Sequence, residues 1–597
     1  MDSHSTTRRL RVPTPTQTDL SFCQPTVRDL KSWIEILPKA NTGETARLLY
    51  LALQELNNFI TSADNRAQLL ELLRPEVMFI TAQLERHFIN NAVMLDARSQ
   101  KVANLCQTLQ NHLTIGYKLV ITDSSDKRGS VLALALQRAL HSMFASLVRA
   151  YQLYYPAPPN FWLELHQVYI LARQHNLHTQ PIRDPLLSGV SQQSVEAAYC
   201  CVLLLSCARI NQMRKNDIAV LAETLPSWSH LSVLQNTELD SSLFVVNLSS
   251  DAPPRYKKLV DEKHGAARLG FNTEELASAL LEHQQERNTK RFSSPISIPE
   301  AMSSTLIAQL HNAWGQLAKR DFQRTSSQGT VQVCLGMSAV HYYLAGEESF
   351  DKTLKLAQQT HVEYITDNSP PDIWASAIDA DSDTVPNPLD TEFIEYTVED
   401  QSSDDTASEQ PALYPVYSLD IVNQSPGGYC LAWHNTVPAQ LQTGEIIALR
   451  DDETMPWTTA VVCWIRQTSS TITQMGIELI APNAQHCGLQ LLRGKHESSF
   501  FLRALLVPEI PALSRPASVI GPRIPFQEGH KVAINLQGKE LKAILNKRIK
   551  QTGSISQFEY RLLTPEHSPV QPKQPPATQD SSELSISDDF DSLWKSL

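Results

Sequence analysis

Two short clusters in this chain have the residue types needed to hold a planar, anionic ligand. One is Asn423, Ser425 and Gly428, spaced Asn-x-Ser-x-x-Gly. The other is Arg320 and Arg324, at the ends of Arg320-Asp321-Phe322-Gln323-Arg324. A guanidinium pairs bidentately with a phosphate or with guanine O6 and N7, and its plane stacks on a purine. Asn and Ser side chains hydrogen-bond to a ligand or fold back onto a turn, and Gly permits positive φ and close approach of another molecule. Arg287 and Arg291 have the same spacing, but a helical stretch separates them from any strand. Arg320 and Arg324 instead close a helical stretch just before the strand-like run at Thr330. The bland alternative for this pair is a helix C-terminus, where cations are favoured.

The elements around the Asn-x-Ser-x-x-Gly turn read as strands. Ile421 and Val422 lead into it, Tyr429 to Leu431 lead out, and the runs Ala460–Arg466 and Met475–Leu479 follow. This combination resembles the PilZ domain, a small β-barrel that binds the second messenger cyclic di-GMP in bacteria. The resemblance implies that Arg320 and Arg324 hold guanine and phosphate, and that Asn423, Ser425 and Gly428 support guanine recognition. It implies no cofactor besides the ligand itself. In simple members of that family the two motifs lie closer together, whereas Arg324 and Asn423 are 99 positions apart here. An acidic insertion at about 346–411 accounts for the excess, and a long surface loop adds little closure entropy. A scaffold or adaptor with a degenerate, ligand-free barrel is the competing reading.

Signatures of enzymes are missing. The chain has no G-x-S-x-G elbow, P-loop, H-E-x-x-H or G-x-G-x-x-G, so no catalytic residue is assigned. Acidic clusters such as Asp379-Ala380-Asp381-Ser382-Asp383 lack the Gly and terminal Glu of a calcium loop, and no metal site is assigned. A net charge of −12 argues against a general nucleic-acid binder. The nine cysteines are scattered without a C-x-x-C pair, which points to a reducing, cytoplasmic protein. No signal peptide or membrane span is expected.

At 597 residues the chain is too long for one core. The reading is a multidomain α + β protein: an all-α N-terminal region, a PilZ-like β-barrel, and a second small β domain. The expected units are a disordered arm at 1–25, a helical domain at 26–300, the barrel with a preceding helix at 301–485, the second β domain at 486–565, and a disordered linker at 566–597. Arg74-Pro75 is expected to kink or restart a helix, and Met337 to Leu344 is ambiguous between helix and strand. At the C-terminus Phe590, Leu593, Trp594 and Leu597 share one face at helical spacing. That pattern suits a peptide that enters the groove of a protein partner or returns to the chain's own helical domain.

Overall fold

The computed structural model describes residues 10–90, 92–124, 129–236, 242–260, 267–286, 296–317, 324–327, 329–355, 414–434, 436–469, 471–493, 497–509 and 516–563. Apolar residues recurring three and four apart build the first helices: α1 (Val27–Glu35), α2 (Thr42–Asn58), α3 (Ala63–Glu85), α4 (Ala97–Ser124), α5 (Ser130–Gln152), α6 (Phe161–Gln174), α7 (Val195–Cys207) and α8 (Lys215–Trp228). Thr26, Asn41, Ser62 and Ser194 each accept the backbone N–H three residues on, satisfying donors that a helix start leaves orphaned. α5 is long and apolar enough to cross a membrane, but most of it is buried inside the helical core. Its Arg138 and Arg149 pair with Glu71 and Glu85.

Two expectations for this region need correction. Residues 10–25 are not a disordered arm: Thr16 and Gln17 both donate their N–H to the carbonyl of Asn58 at 2.8 Å, and Ser21 Oγ donates to Glu55 at 2.6 Å. An extended, proline-containing segment shows no periodicity, yet it can satisfy the orphan carbonyls that end α2. Nor does Pro75 start a new helix, since α3 runs unbroken through it. The preceding residue, Arg74, is buried and gripped by both oxygens of Asp184 at 2.8 and 2.7 Å. Asp184 is also 2.8 Å from Arg138, which in turn meets Glu71 at 3.0 Å. These contacts hold Arg74, the residue before the proline, in place on α3 from outside the helix.

The same core extends further than expected. A two-stranded ribbon, β1 (Ile182–Arg183) with β2 (Gln192–Gln193), lies between α6 and α7. Strands β3 (Val233–Asn236), β4 (Phe244–Asn247), β5 (Arg255–Tyr256) and β6 (Arg268–Asn272) form a sheet in the order β3-β6-β4-β5. They are followed by α9 (Glu274–Glu286) and α10 (Ser304–Gly315), which starts at the Ser303 cap. Phe244, Phe271, Leu280, Leu310 and Trp314 all join the helical core. Trp314 Nε1 donates to the carbonyl of Leu204 at 3.1 Å. Helix α10, which precedes the barrel, packs its apolar face on the helical region.

Next come β7 (Thr325–Ser326), β8 (Thr330–Leu335), α11 (Gly336–Leu344), α12 (Phe350–Leu354), β9 (Tyr417–Ser425), β10 (Gly428–His434), β11 (Ile446–Arg450), β12 (Thr458–Gln467) and β13 (Ile472–Ala481). The order β10-β13-β12-β11-β8-β9, closed by β9–β10 pairing, makes a six-stranded barrel, with β7 added alongside β9. Val333, Leu431, Trp433, Ile447, Ile465 and Met475 fill it, and Val93 and Tyr154 from the helical region join that core. The first part of the expected acidic insertion is ordered as α12, while residues 356–413 lie outside the described residues.

The second barrel has β14 (Gln485–Arg493), β15 (Glu497–Ser498), β16 (Leu502–Val507), β17 (Ser518–Pro522), β18 (Lys531–Leu536), β19 (Lys539–Gln551) and β20 (Ile555–Leu562). Its order β14-β16-β17-β20-β19-β18 closes through β14–β18. The ambiguous Met337–Leu344 segment is the helix α11. Its Met337, Val340 and Tyr343 pack with Ile446 and Val461 of the first barrel and with Leu505 and Ile520 of the second. Burial on several sides explains why neither periodicity dominated its sequence.

Candidate functional site

Asn423, Ser425 and Gly428 sit on the β9–β10 hairpin, whose strands are joined by Pro426 and Gly427. Along β9, Leu419 and Ile421 pack on the barrel interior. Simple alternation would send Asn423 inward as well. It does not, because the register shifts between Cys430 and Leu431: Leu431 pairs with Ile421, and Cys430 pairs with Asn423. Val422 is the extra, bulged residue. This bulge turns Asn423 and Ser425 onto the outer wall.

A second bulge does the same across the barrel. Val462 pairs with Ile477 and faces the interior, whereas Trp464 pairs with Gly476. Cys463 is the extra residue, and Trp464 turns outward while Ile465 returns to the core. One row of the wall thus reads Ser326, Asn423, Cys430, Gly476, Trp464 across β7, β9, β10, β13 and β12. Gly476 is required there, since an added Cβ would lie 1.9 Å from Trp464 Nε1. The indole fills the space over the strand that a side chain would occupy.

Arg324 joins this face. β7 pairs with β9 through Thr325–Gln424 and Ser326–Asn423, so one step further along the antiparallel register Arg324 comes level with Ser425. Arg466 is the second cation, exposed two residues beyond Trp464, with its Nη2 donating to Gln474 Oε1 at 2.8 Å. Burial raises the Cys430 thiol above its ordinary value, and the positive charges of Arg324 and Arg466 pull it back. Both guanidiniums therefore act on one patch of wall. Arg320 lies outside the described residues, as do Phe590, Leu593, Trp594 and Leu597.

The turn residues have distinct local duties. Ser425 Oγ donates to the carbonyl of Gly428 at 3.2 Å, closing the turn. Gly428 makes room for the chain's own backbone: an added Cβ would lie 1.9 Å from the carbonyl oxygen of Ile477 on β13. The N–H of Leu479 also donates to the Gly427 carbonyl at 3.0 Å. The close approach that this glycine permits is thus to β13, where the sequence suggested a ligand. Asn423 has no side-chain hydrogen bond among the described residues, and its half-buried amide is available on the outer wall. Sequence reasoning passed over Trp464 and Arg466 as plain strand residues. A glycine within a strand is the signal that another group approaches closely, and Gly476 carried it.

The turn at Thr552-Gly553-Ser554 in the second barrel lies against both other units. Arg214 Nε donates to the Thr443 carbonyl at 3.2 Å and its Nη2 to Ser554 Oγ at 2.7 Å. Thr552 Oγ1 donates to the Gly444 carbonyl at 2.6 Å. Ser554 Oγ also donates to the buried Glu445 carboxylate. Burial raises the Glu445 carboxyl, and the Ser554 hydrogen bond and the Arg214 charge counter it. Among the described residues no group of three His, Cys, Asp or Glu side chains could hold a metal ion, and all nine cysteines are free.

Comparison with known proteins places these three units in order. Residues 28–238 match the N-terminal domain of the cyclic-di-GMP receptor FimW, residues 243–486 its middle PilZ domain, and residues 487–563 its C-terminal β-barrel domain. No solved structure is significantly similar. The cyclic-di-GMP receptor FimW of Pseudomonas aeruginosa is 48% identical over 617 aligned positions, covering 100% of both chains. With that identity across every unit, the chain belongs to the FimW family of PilZ-domain proteins.

Proposed function

We propose that this protein is a cytoplasmic cyclic di-GMP receptor that couples ligand binding to a protein partner and performs no catalysis. The observation that carries the reading is the single outer wall on which two bulges and the β7–β9 register gather Arg324, Asn423, Ser425, Trp464 and Arg466. The full-length relative is named for that ligand. The chemistry of each group suits it. Exposed Arg324, and the N–H groups of Arg466 other than the one that Gln474 holds, suit phosphate oxygens or the O6/N7 edge of guanine. Asn423 offers both a donor and an acceptor to a base edge. The half-exposed indole of Trp464 suits stacking on a base, worth about 1–3 kcal/mol per base. Arg320, four residues before Arg324, is assigned to the same ligand by sequence spacing.

Calorimetric titration of the purified chain with cyclic di-GMP tests this. Wild type binds, and Arg324→Ala binds about 10- to 100-fold more weakly, as expected for loss of a charge-assisted hydrogen bond of roughly 1.5–3 kcal/mol. Folded wild-type protein that takes up no ligand at tens of micromolar would sink the receptor reading and leave the scaffold.

A further inference from the structure

The second barrel is strongly basic in an acidic chain. Residues 487–563 hold 12 Lys and Arg against 5 Asp and Glu, while the whole chain carries −12. On its outer wall Lys531 pairs with Ile544, and Ile544 pairs with Arg561. Lys542 stands two residues before Ile544 on the same side of β19. Side chains in such register lie about 5–8 Å apart, and like charges placed so repel. Lys531, Lys542 and Arg561 are exposed and have no side-chain partner among the described residues. Glu540 and Glu559 are the acids two residues from Lys542 and Arg561 on that wall.

Lys531 also lines an open cavity of about 570 Å³ with Leu491, Leu492, Pro525, Gln527 and His530. Ile524, beside Pro525, is 66% exposed. The wall therefore combines unpaired cations with a hollow in which Leu491, Leu492 and Pro525 stand beside polar Gln527 and His530. A matching occupant is acidic with large apolar anchors. Residues 564–597 of this chain fit: they hold 6 Asp and Glu against 2 Lys, with Asp588, Asp589 and Asp591 set among Phe590, Leu593, Trp594 and Leu597. That segment leaves the barrel at this wall, because Leu563 donates its N–H to the Lys542 carbonyl at 2.8 Å. The stretch from Leu563 to Phe590 reaches ~90 Å at full extension, so every point of the barrel is within range. A tether also raises the local concentration of its end to roughly millimolar, so modest intrinsic affinity suffices.

We propose that residues 586–597 bind the Lys531–Lys542–Arg561 wall of the second barrel within the same chain, with an apolar anchor in the adjoining cavity. This identifies the C-terminal peptide's resting site as the second barrel, and neither the helical region nor a permanent partner. A labelled synthetic peptide of residues 584–597 is titrated by fluorescence polarisation into the full chain and into a chain ending at residue 583. The truncated chain is expected to bind it at least about tenfold more tightly, because the tethered copy competes in the full chain. Binding weakens with added salt. It weakens about tenfold again in truncated K531E/K542E, and a peptide carrying D588K/D589K recovers part of that loss. Circular dichroism checks that the exposed substitutions leave the barrel folded. Equal affinity for the full and truncated chains would overturn the proposal. So would indifference to the charge reversals, or light scattering that shows tail-dependent dimers of the full chain.

Discussion

Gln467 and Val93 are 374 positions apart in sequence and joined by a hydrogen bond of 2.6 Å, from the glutamine Nε2 to the valine carbonyl. The backbone N–H of Gln467 also donates to the carbonyl of Tyr154 at 3.0 Å. Gln467 is buried, whereas its neighbour Arg466 is exposed on the proposed ligand wall. Consecutive residues of one strand face opposite sides, so β12 presents one residue to the ligand and the next to the helical region. Any ligand that tightens the end of β12 biases the contacts at Val93 and Tyr154 directly.

The first prediction follows from that contact. Cyclic di-GMP is expected to slow amide hydrogen exchange around residues 90–95 and 151–156 of the wild-type chain. Gln467→Ala removes the side-chain bond and strands a buried carbonyl, costing about 1–3 kcal/mol. Its affinity for the ligand changes little, because Gln467 points away from the wall, but the ligand-dependent protection in the helical segments disappears. Unchanged protection in the variant would show that the signal, if any, leaves the barrel elsewhere.

A second prediction separates two residues of one motif. Gly428→Ala drives a methyl group against the Ile477 carbonyl, an overpacking that costs on the order of 3 kcal/mol. Ser425→Ala loses one partly exposed hydrogen bond to the Gly428 carbonyl, worth about 1 kcal/mol. Thermal unfolding without ligand should therefore fall much further for Gly428→Ala. If both variants unfold like wild type, the glycine serves the ligand and not the β10–β13 contact.

The third concerns Trp464. Trp464→Ala should weaken cyclic di-GMP binding by about 1–3 kcal/mol, the usual worth of a stacked base. Gly476→Val leaves the tryptophan in the sequence but occupies the space its indole uses, so it should weaken binding in the same direction. Calorimetry on both variants, with near-ultraviolet circular dichroism to follow the indole, distinguishes stacking from general damage. Full affinity in Gly476→Val with a displaced indole would remove Trp464 from the site.

How much of this was legible in the sequence varies with the physics. Asn423, Ser425 and Gly428 were visible because residue type and spacing alone define a turn. The outer-wall placement was not, because it depends on single extra residues at Val422 and Cys463 that reverse the alternation without changing composition. Trp464 read as ordinary strand because an aromatic in a strand usually packs inward. Pro75 misled for a related reason: the residue before it, Arg74, is held by an ion network that includes Asp184, 110 positions away. The arm at 10–25 was read as disordered because tertiary partners, more than periodicity, hold it. The order of helical region, barrel and second β unit was legible, since long periodic segments carry that information redundantly.

The last prediction is acid sensitivity to which several histidines contribute, two of them buried in different units; burial and then the Arg74 charge also push His141 in α5 down to about 3. His166 in α6 is fully buried, with Tyr199 Oη 2.7 Å from its Nδ1 and the Ala252 carbonyl 3.3 Å from its Nε2. The carbonyl can only accept, so Nε2 carries the proton and Nδ1 accepts from the tyrosine hydroxyl: the ring is held neutral. Burial pushes its pKa down to about 4. His341 in α11, also buried, is pushed down to about 3 by burial and then by the neighbouring His486 and Arg503. In the unfolded chain both titrate near ~6.5. Between that value and the folded pKa the unfolded state binds protons that the native state refuses, so stability falls as pH falls. Each histidine contributes up to about 1.4 kcal/mol per pH unit across the window. Asp184, lowered to about 2, behaves differently: its contribution is intact above its unfolded value of ~3.9 and is lost only as pH drops through its folded pKa. Urea unfolding at pH 7.5, 6 and 5 should therefore show a decline that begins below pH 6.5, well above the range in which Asp184 titrates. His166→Gln, which keeps a donor and an acceptor without a titrating ring, should reduce the slope by about one proton. A flat profile from pH 7.5 to 5, or an unchanged slope in that variant, would mean that these rings accept protons without unfolding.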